Sequence, residues 1–156
     1  MKNTLLLVCL VVLTRIGFAQ STQFDFTFNH QALSVKDVNR SVEFYQKTFQ
    51  LQEITNRTKN ENIRWMSLGE GKELHLISNV KGPVKINKAV HLAITTQHLD
   101  EFIKWLDESK VEYSDYPGTP HKVNVRADGV KQIYLQDPDG YWIEVNNGYS
   151  AAPSIK

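Results

Sequence analysis

His30-Gln31-Ala32-Leu33-Ser34 and His91-Leu92-Ala93-Ile94-Thr95 share one pattern: His, any residue, Ala, an aliphatic residue, a hydroxyl. They stand 61 positions apart, and Phe44 and Trp105 keep the same offset. A fixed offset of this kind marks a duplicated structural unit. Downstream of His30, Val38, Val42, Tyr45 and Phe49 fall at i, i+4, i+7 and i+11. Downstream of His91, Leu99, Phe102, Ile103 and Leu106 fall at i, i+3, i+4 and i+7. Each set is the apolar stripe of an amphipathic helix of about three turns. Three strand-like segments follow each helix, at 51–55, 62–68 and 73–78 in the first half and at 111–113, 130–135 and 141–146 in the second. Gly69-Glu70-Gly71 and Asp137-Pro138-Asp139-Gly140 supply tight turns, with Pro presetting φ and Gly free to take positive φ. Both halves therefore read β-α-β-β-β, giving an α+β fold of two tandem βαβββ units.

The unit boundaries fall at about 26–80 and 89–147, with a linker at 81–88 containing Gly82 and Pro83 and a frayed tail at 148–156. Segment 116–128 is a long polar loop with two prolines, a length often tied to function. The chain has 156 residues, 41% hydrophobic and 22% charged, with a formal net charge of +1. These values exclude disorder, collagen-like repeats and coiled coils, and suit one domain over 20–156. With 18 basic and 17 acidic residues and no charged block, there is no electrostatic case for nucleic acid or for an anionic membrane. A small molecule or another protein is the expected partner.

Residues 1–19 read as a secretory signal: Lys2, an apolar run from Thr4 to Thr14, and Gly17-Phe18-Ala19 before the cleavage point. The run is too short for a membrane span, which needs about 20 residues. The mature protein is expected outside the cytoplasm, periplasmic or secreted. It would lose the single cysteine, Cys9, and with it disulfide, thiol and Cys-metal chemistry.

Strand alternation sorts the polar side chains. His75 sits between Leu74 and Leu76, and Glu144 shares a face with Trp142 and Asn146, opposite Tyr141, Ile143 and Val145. His30 and His91 hold equivalent places in the two units. A strand carboxylate is costly to bury alone, and a cation removes that cost. Two imidazoles and a carboxylate suit a divalent first-row metal, with His75 as a fourth candidate ligand. Such a site needs neutral His and ionised Glu, so its metal binding weakens in acid. His98, near a helix start, and His121, in the polar loop, read as ordinary surface residues.

Three stretches resemble the vicinal oxygen chelate superfamily, the glyoxalase/bleomycin-resistance/dioxygenase fold. They are His30-Gln31-Ala32-Leu33-Ser34-Val35 with Asp37, Arg40-Ser41-Val42 and Phe44-Tyr45; Val90-His91-Leu92-Ala93-Ile94; and Asp137-Pro138-Asp139-Gly140-Tyr141 with Ile143-Glu144. The resemblance spans about 26–147. It implies paired units forming a curved, incomplete mixed-sheet barrel with helices outside, around one divalent metal (Zn, Ni, Mn, Fe or Co). It places His30, His91 and Glu144 at ligand positions, and puts His75 where glyoxalase I enzymes usually carry Glu or Gln; Glu73 shares that strand face. It also implies a homodimer whose metal sites are shared between chains, His30 and His75 of one meeting His91 and Glu144 of the other.

The implied chemistry is that of a glyoxalase-type lyase or isomerase, with Glu144 as the catalytic base and a small substrate chelating the metal through vicinal oxygens. Export argues against glutathione adducts as substrate, because the reduced glutathione pool is intracellular. Arg64 and Arg126 are candidate anion contacts, with solvated surface charge the commoner role for such residues, and the proline-bounded loop at 117–128 is a candidate to close over the site. The alternatives of the same fold are a non-catalytic drug-binding dimer with Trp65, Tyr134 and Trp142 lining an aromatic groove and, ranked lower, an extradiol-type dioxygenase.

Overall fold

The computed structural model describes residues 26–82 and 85–148. The expected leader and nearly all of the expected tail lie outside them. The first unit is β1 (His30–Val35), α1 (Val38–Phe49), β2 (Glu53–Ile54), β3 (Ile63–Gly69) and β4 (Lys72–Ser78). The second is β5 (His91–Thr95), α2 (Leu99–Glu108), β6 (Asn124–Val125), β7 (Lys131–Gln136) and β8 (Trp142–Asn146). Each forms a four-stranded mixed sheet, β1-β4-β3-β2 and β5-β8-β7-β6, so the duplication seen in the sequence is a duplication of topology. In both, the first strand pairs parallel with the last, which a helical crossover permits. Neither sheet closes into a barrel.

Asp37 caps α1, its carboxylate accepting from the backbone N–H of Asn39 (2.8 Å) and Arg40 (3.2 Å). Gln50 ends the helix in the left-handed region at φ 55°. One face of each sheet is apolar. Leu33, Val35, Met66, Leu74 and Leu76 from the first sheet and Ile133, Leu135, Ile143 and Val145 from the second join Val42, Tyr45, Leu99 and Leu106 of the helices in one continuous core. Phe49 stacks on Phe102, and the Trp105 indole N–H donates to the Thr48 carbonyl, so the helices lock the units together.

The β7–β8 turn completes that junction. Asp139 accepts from the Lys36 N–H (3.0 Å) and the Ser41 hydroxyl (3.2 Å) at the start of α1. The Tyr141 hydroxyl bonds the Ser34 carbonyl (2.9 Å). Buried Asp137 takes the Tyr45 hydroxyl (3.1 Å) on one oxygen and the Asp139 and Tyr141 N–H groups (2.9 Å each) on the other. Burial pushes the Asp137 carboxyl above the usual aspartate range, more than its hydrogen bonds pull it down. The native state therefore binds this proton more tightly than the unfolded chain. Stability contributed here is expected to fall as pH rises from the ordinary aspartate value through the raised one. Asp137→Asn should flatten that slope in urea titrations run across the acidic range.

The expected strand at 111–113 does not form. Ser114 makes isolated bridges to Tyr134 and Pro120, and the edge strand is instead β6, paired with Lys131 and Gln132. Pro117 and Pro120 lack the N–H a ladder needs, so the chain leaves the sheet after Ser114 and returns ten residues later, at Asn124.

Candidate metal centre

The pleat that points the leucines into the core turns the polar residues onto the opposite faces. In the first sheet Ala32 pairs with His75, and Trp65 pairs with His75 from the other side. In the second Ala93 pairs with Glu144, and Tyr134 pairs with Glu144. His75 and Glu144 thus hold equivalent places, as do His30 and His91. The two units present matching half-sites.

In the second half-site His91 Nε2 faces Glu144 Oε2 at 3.2 Å. His91 Nδ1 lies 2.8 Å from the Lys88 carbonyl, which can only accept, so Nδ1 carries the proton. A neutral His91 then turns its Nε2 lone pair toward a carboxylate oxygen, a repulsive contact unless a cation, metal or proton, lies between them. Glu144 is buried, and both its oxygens are held: Oε2 accepts the Tyr134 hydroxyl (2.6 Å) and Oε1 the Asn146 amide (2.7 Å). Burial, and then the Glu144 bond and charge, hold the Tyr134 phenol well above its usual range, so it remains a donor; Arg126 offsets this in part. Gln132 Nε2 donates to the Tyr134 oxygen (2.8 Å). The donor set, an imidazole nitrogen with its tautomer fixed and an oriented carboxylate, fits a divalent first-row ion.

In the first half-site His30 Nδ1 bonds Asn29 Oδ1 (2.7 Å), which leaves Nε2 as its free nitrogen. His75 is a filling in a stack: its ring lies 4.3 Å from Trp65 on one side and 4.3 Å from His30 on the other. The Arg57 guanidinium lies 5.3 Å from the centre of the Trp65 ring, and Glu73 accepts from Arg57 (3.2 Å) and from His75 Nε2 (2.7 Å). The His30 and His75 planes are 13° from parallel. Imidazole lone pairs lie in the ring plane, so one ion meets both residues only after the His75 ring leaves the stack. Trp65 Nε1 is buried without a hydrogen-bond partner among the described residues.

The structure brings His30 to His75 and His91 to Glu144, but it does not join the pairs within one chain. Among the described residues, no three His, Cys, Asp or Glu side chains converge on a cation position. Arg64 lies on the helix side of its sheet, bonded to Glu53 and Asn39, away from both half-sites. Arg126 pairs with Asp128 (2.6 Å). His98 sits exposed before α2, and His121 contacts Asp107 and Glu112 at the surface. A groove of about 650 Å³ lined by Phe44, Trp105 and Pro138 lies on the helix side, remote from these groups. A smaller one of about 300 Å³ adjoins Tyr134 and Trp142.

Sequence reasoning missed the Tyr134–Glu144 bond, although the turn at 137–140 sets the hairpin register that pairs them. It also missed Lys88, for which no local pattern exists.

The comparisons agree with this architecture. A metallothiol transferase FosB from Staphylococcus epidermidis is 26% identical over 126 residues, 77% of this chain and 80% of that protein. The FosB of Staphylococcus saprophyticus is 24% identical over 128 residues, 78% of this chain and 77% of that protein. Among solved structures, the fosfomycin resistance protein FosX from Listeria monocytogenes superposes with a TM-score of 0.61 at 23% identity, covering 80% of this chain and 94% of that one. A lactoylglutathione lyase from Agrobacterium tumefaciens does so with a TM-score of 0.60 at 18% identity, covering 78% and 93%. Residues 27–145 match the family signature, and the chain belongs to the Glyoxalase/Bleomycin resistance protein/Dioxygenase superfamily.

Proposed function

We propose that this protein is an exported, divalent-metal-dependent lyase or isomerase of glyoxalase type, acting as a homodimer on a small substrate with two vicinal oxygens. The observation that carries the reading is the His91–Glu144 pair, an imidazole nitrogen and a carboxylate oxygen facing each other at 3.2 Å, the imidazole oriented by the Lys88 carbonyl and the carboxylate by the Tyr134 hydroxyl. His30 and His75 of one chain and His91 and Glu144 of the partner subunit would hold the ion. Three features support a shared site: the half-sites match in register, they do not meet within one chain, and Phe28 (52% exposed) and Val90 (67% exposed) stand uncovered at the starts of the edge strands β1 and β5.

A divalent ion held by these four residues would polarise the substrate's two oxygens and stabilise developing negative charge. Glu144 takes a proton from one carbon and returns it to the adjacent carbon. Tyr134 and Asn146 hold its carboxylate in place during the transfer. The relatives named metallothiol transferases favour a second reading, transfer of a thiol to a small substrate. Turnover of 2-oxoaldehyde adducts against turnover of fosfomycin with added thiols separates the two.

The shared site has a direct test. A His30→Ala/His75→Ala chain and a His91→Ala/Glu144→Ala chain should each bind no metal alone. Unfolded and refolded together, they form mixed dimers with one intact site in two, so about a quarter of wild-type metal capacity should return by elemental mass spectrometry. No return of metal would overturn the shared site. If His75 joins the ion, Trp65 loses its stacking partner. Metal addition should then change Trp65 emission in a Trp105→Phe/Trp142→Phe background, and His75→Ala should abolish the change.

A further inference from the structure

We propose that Lys88 is the positioning residue that sets which nitrogen of His91 is free to bind metal. Lys88 stands in the turn between the units, where the Val90 N–H bonds the Asn87 carbonyl (2.8 Å). Its ammonium donates to Ser114 Oγ (3.2 Å), the Asp115 carbonyl (3.1 Å) and the Tyr116 carbonyl (3.2 Å). It also lies 4.2 Å from the centre of the Trp142 ring and 5.4 Å from that of Tyr134. An ammonium has three protons and no lone pair, so these partners use it completely. It has no donor left for a substrate anion while the 114–116 segment is in place.

The same residue's carbonyl accepts from His91 Nδ1. A neutral His91 has one ring proton and two acceptors competing for it. The Lys88 carbonyl draws it to Nδ1; Glu144 Oε2, 3.2 Å from Nε2, draws it the other way. A proton on Nε2 blocks the nitrogen that faces Glu144, and with it the metal position. Glu144 carries the stronger acceptor, so the carbonyl prevails only if it is held in register. The side chain of Lys88 holds it: three hydrogen bonds and two ring faces immobilise the residue whose carbonyl decides the tautomer. The hairpin at 114–120, a surface loop by composition, thereby acts on the metal ligand through one lysine.

This inference deepens the reading of His91 as a ligand, but its first readout needs no metal. The full-length chain is prepared metal-free at a pH where imidazole is neutral, as wild type, Lys88→Met and Lys88→Arg. Long-range proton–nitrogen NMR, with the His91 signal assigned through His91→Ala, reads the tautomer; calorimetry with zinc reads affinity. Wild type should carry the proton on Nδ1. Lys88→Met, which keeps the apolar stem, should move most of it to Nε2 and weaken zinc binding about tenfold, the effect expected of an outer-shell partner. Lys88→Arg should restore the wild-type tautomer in large part. If Lys88→Met speeds amide exchange at 114–118 but leaves the tautomer and zinc affinity unchanged, the proposal is overturned and Lys88 is a loop tie alone. If Lys88→Met does not fold, Ser114→Ala removes one of the three anchors and should produce a partial shift; no shift there overturns the proposal. Should the tautomer shift while wild type binds no zinc, the inference stands and the metal reading fails.

Discussion

Glu144→Ala should strip the protein of bound divalent metal. Metal content by elemental mass spectrometry is expected to fall from about one ion per chain to under a tenth of that, with affinity down at least about 100-fold, more than the 10- to 100-fold that losing an outer-shell partner costs. The size of the effect follows from the role of this residue: among the described residues it is the only carboxylate paired with His91, and Tyr134 and Asn146 hold both its oxygens in place. Alanine also orphans the Tyr134 hydroxyl, so the variant should lose about 1–3 kcal/mol of stability. Glu144→Gln separates the two consequences. Its amide oxygen still accepts from Tyr134, and it removes the charge without emptying the space. It should therefore unfold near the wild-type urea midpoint while failing to hold metal. Wild-type metal content in both variants would sink the metal centre as drawn here.

The second large effect is expected far from that centre. Asp137→Ala should destabilise the fold by about 3 kcal/mol, the sum of three donors left without an acceptor less the relief of one carboxylate that burial already disfavours. The donors are the Tyr45 hydroxyl and the N–H groups of Asp139 and Tyr141. Because the turn also carries Asp139 to the start of α1 and Tyr141 to Ser34, losing its shape loosens the contact between the units. A drop of about 10 °C in the thermal midpoint is the corresponding signal for a domain of this size. Asp137→Asn should cost much less, because its side-chain oxygen can still accept the two backbone N–H groups. Equal loss in both variants would show that charge, rather than hydrogen bonding, holds the turn.

Much of the fold was legible because its signals are local. The His-x-Ala-aliphatic-hydroxyl pattern and the two apolar stripes place each strand–helix pair within a few residues of where the structure has it. Alternation about Leu74-His75-Leu76 and Ile143-Glu144-Val145 put His75 and Glu144 on the faces opposite the core side chains, as the structure has them, though Glu144 is buried there too. The failure at 111–113 has a physical cause: Ser114 and β6 divide the edge of the second sheet, and which segment pairs there depends on β7 rather than on the segment's own sequence. Arg64 shows the same limit. Its residue type suited an anion contact or, more commonly, a surface charge, and only the pleat decides between them, turning it to the helix side, where Glu53 neutralises it.

By itself the sequence determined the duplication, the order of elements, the face on which each candidate ligand lies and the register of the hairpin across residues 137–140. Those depend on periods of 2 and 3.6 and on turn chemistry, which act over a few residues. Only the tertiary structure decided who touches whom: that His75 lies between Trp65 and His30, that the Lys88 carbonyl fixes His91, that Asp137 receives Tyr45, and that the two half-sites do not meet in one chain. These partnerships join segments far apart along the chain. They are set by how two sheets, two helices and a loop settle against one core, which no local pattern encodes.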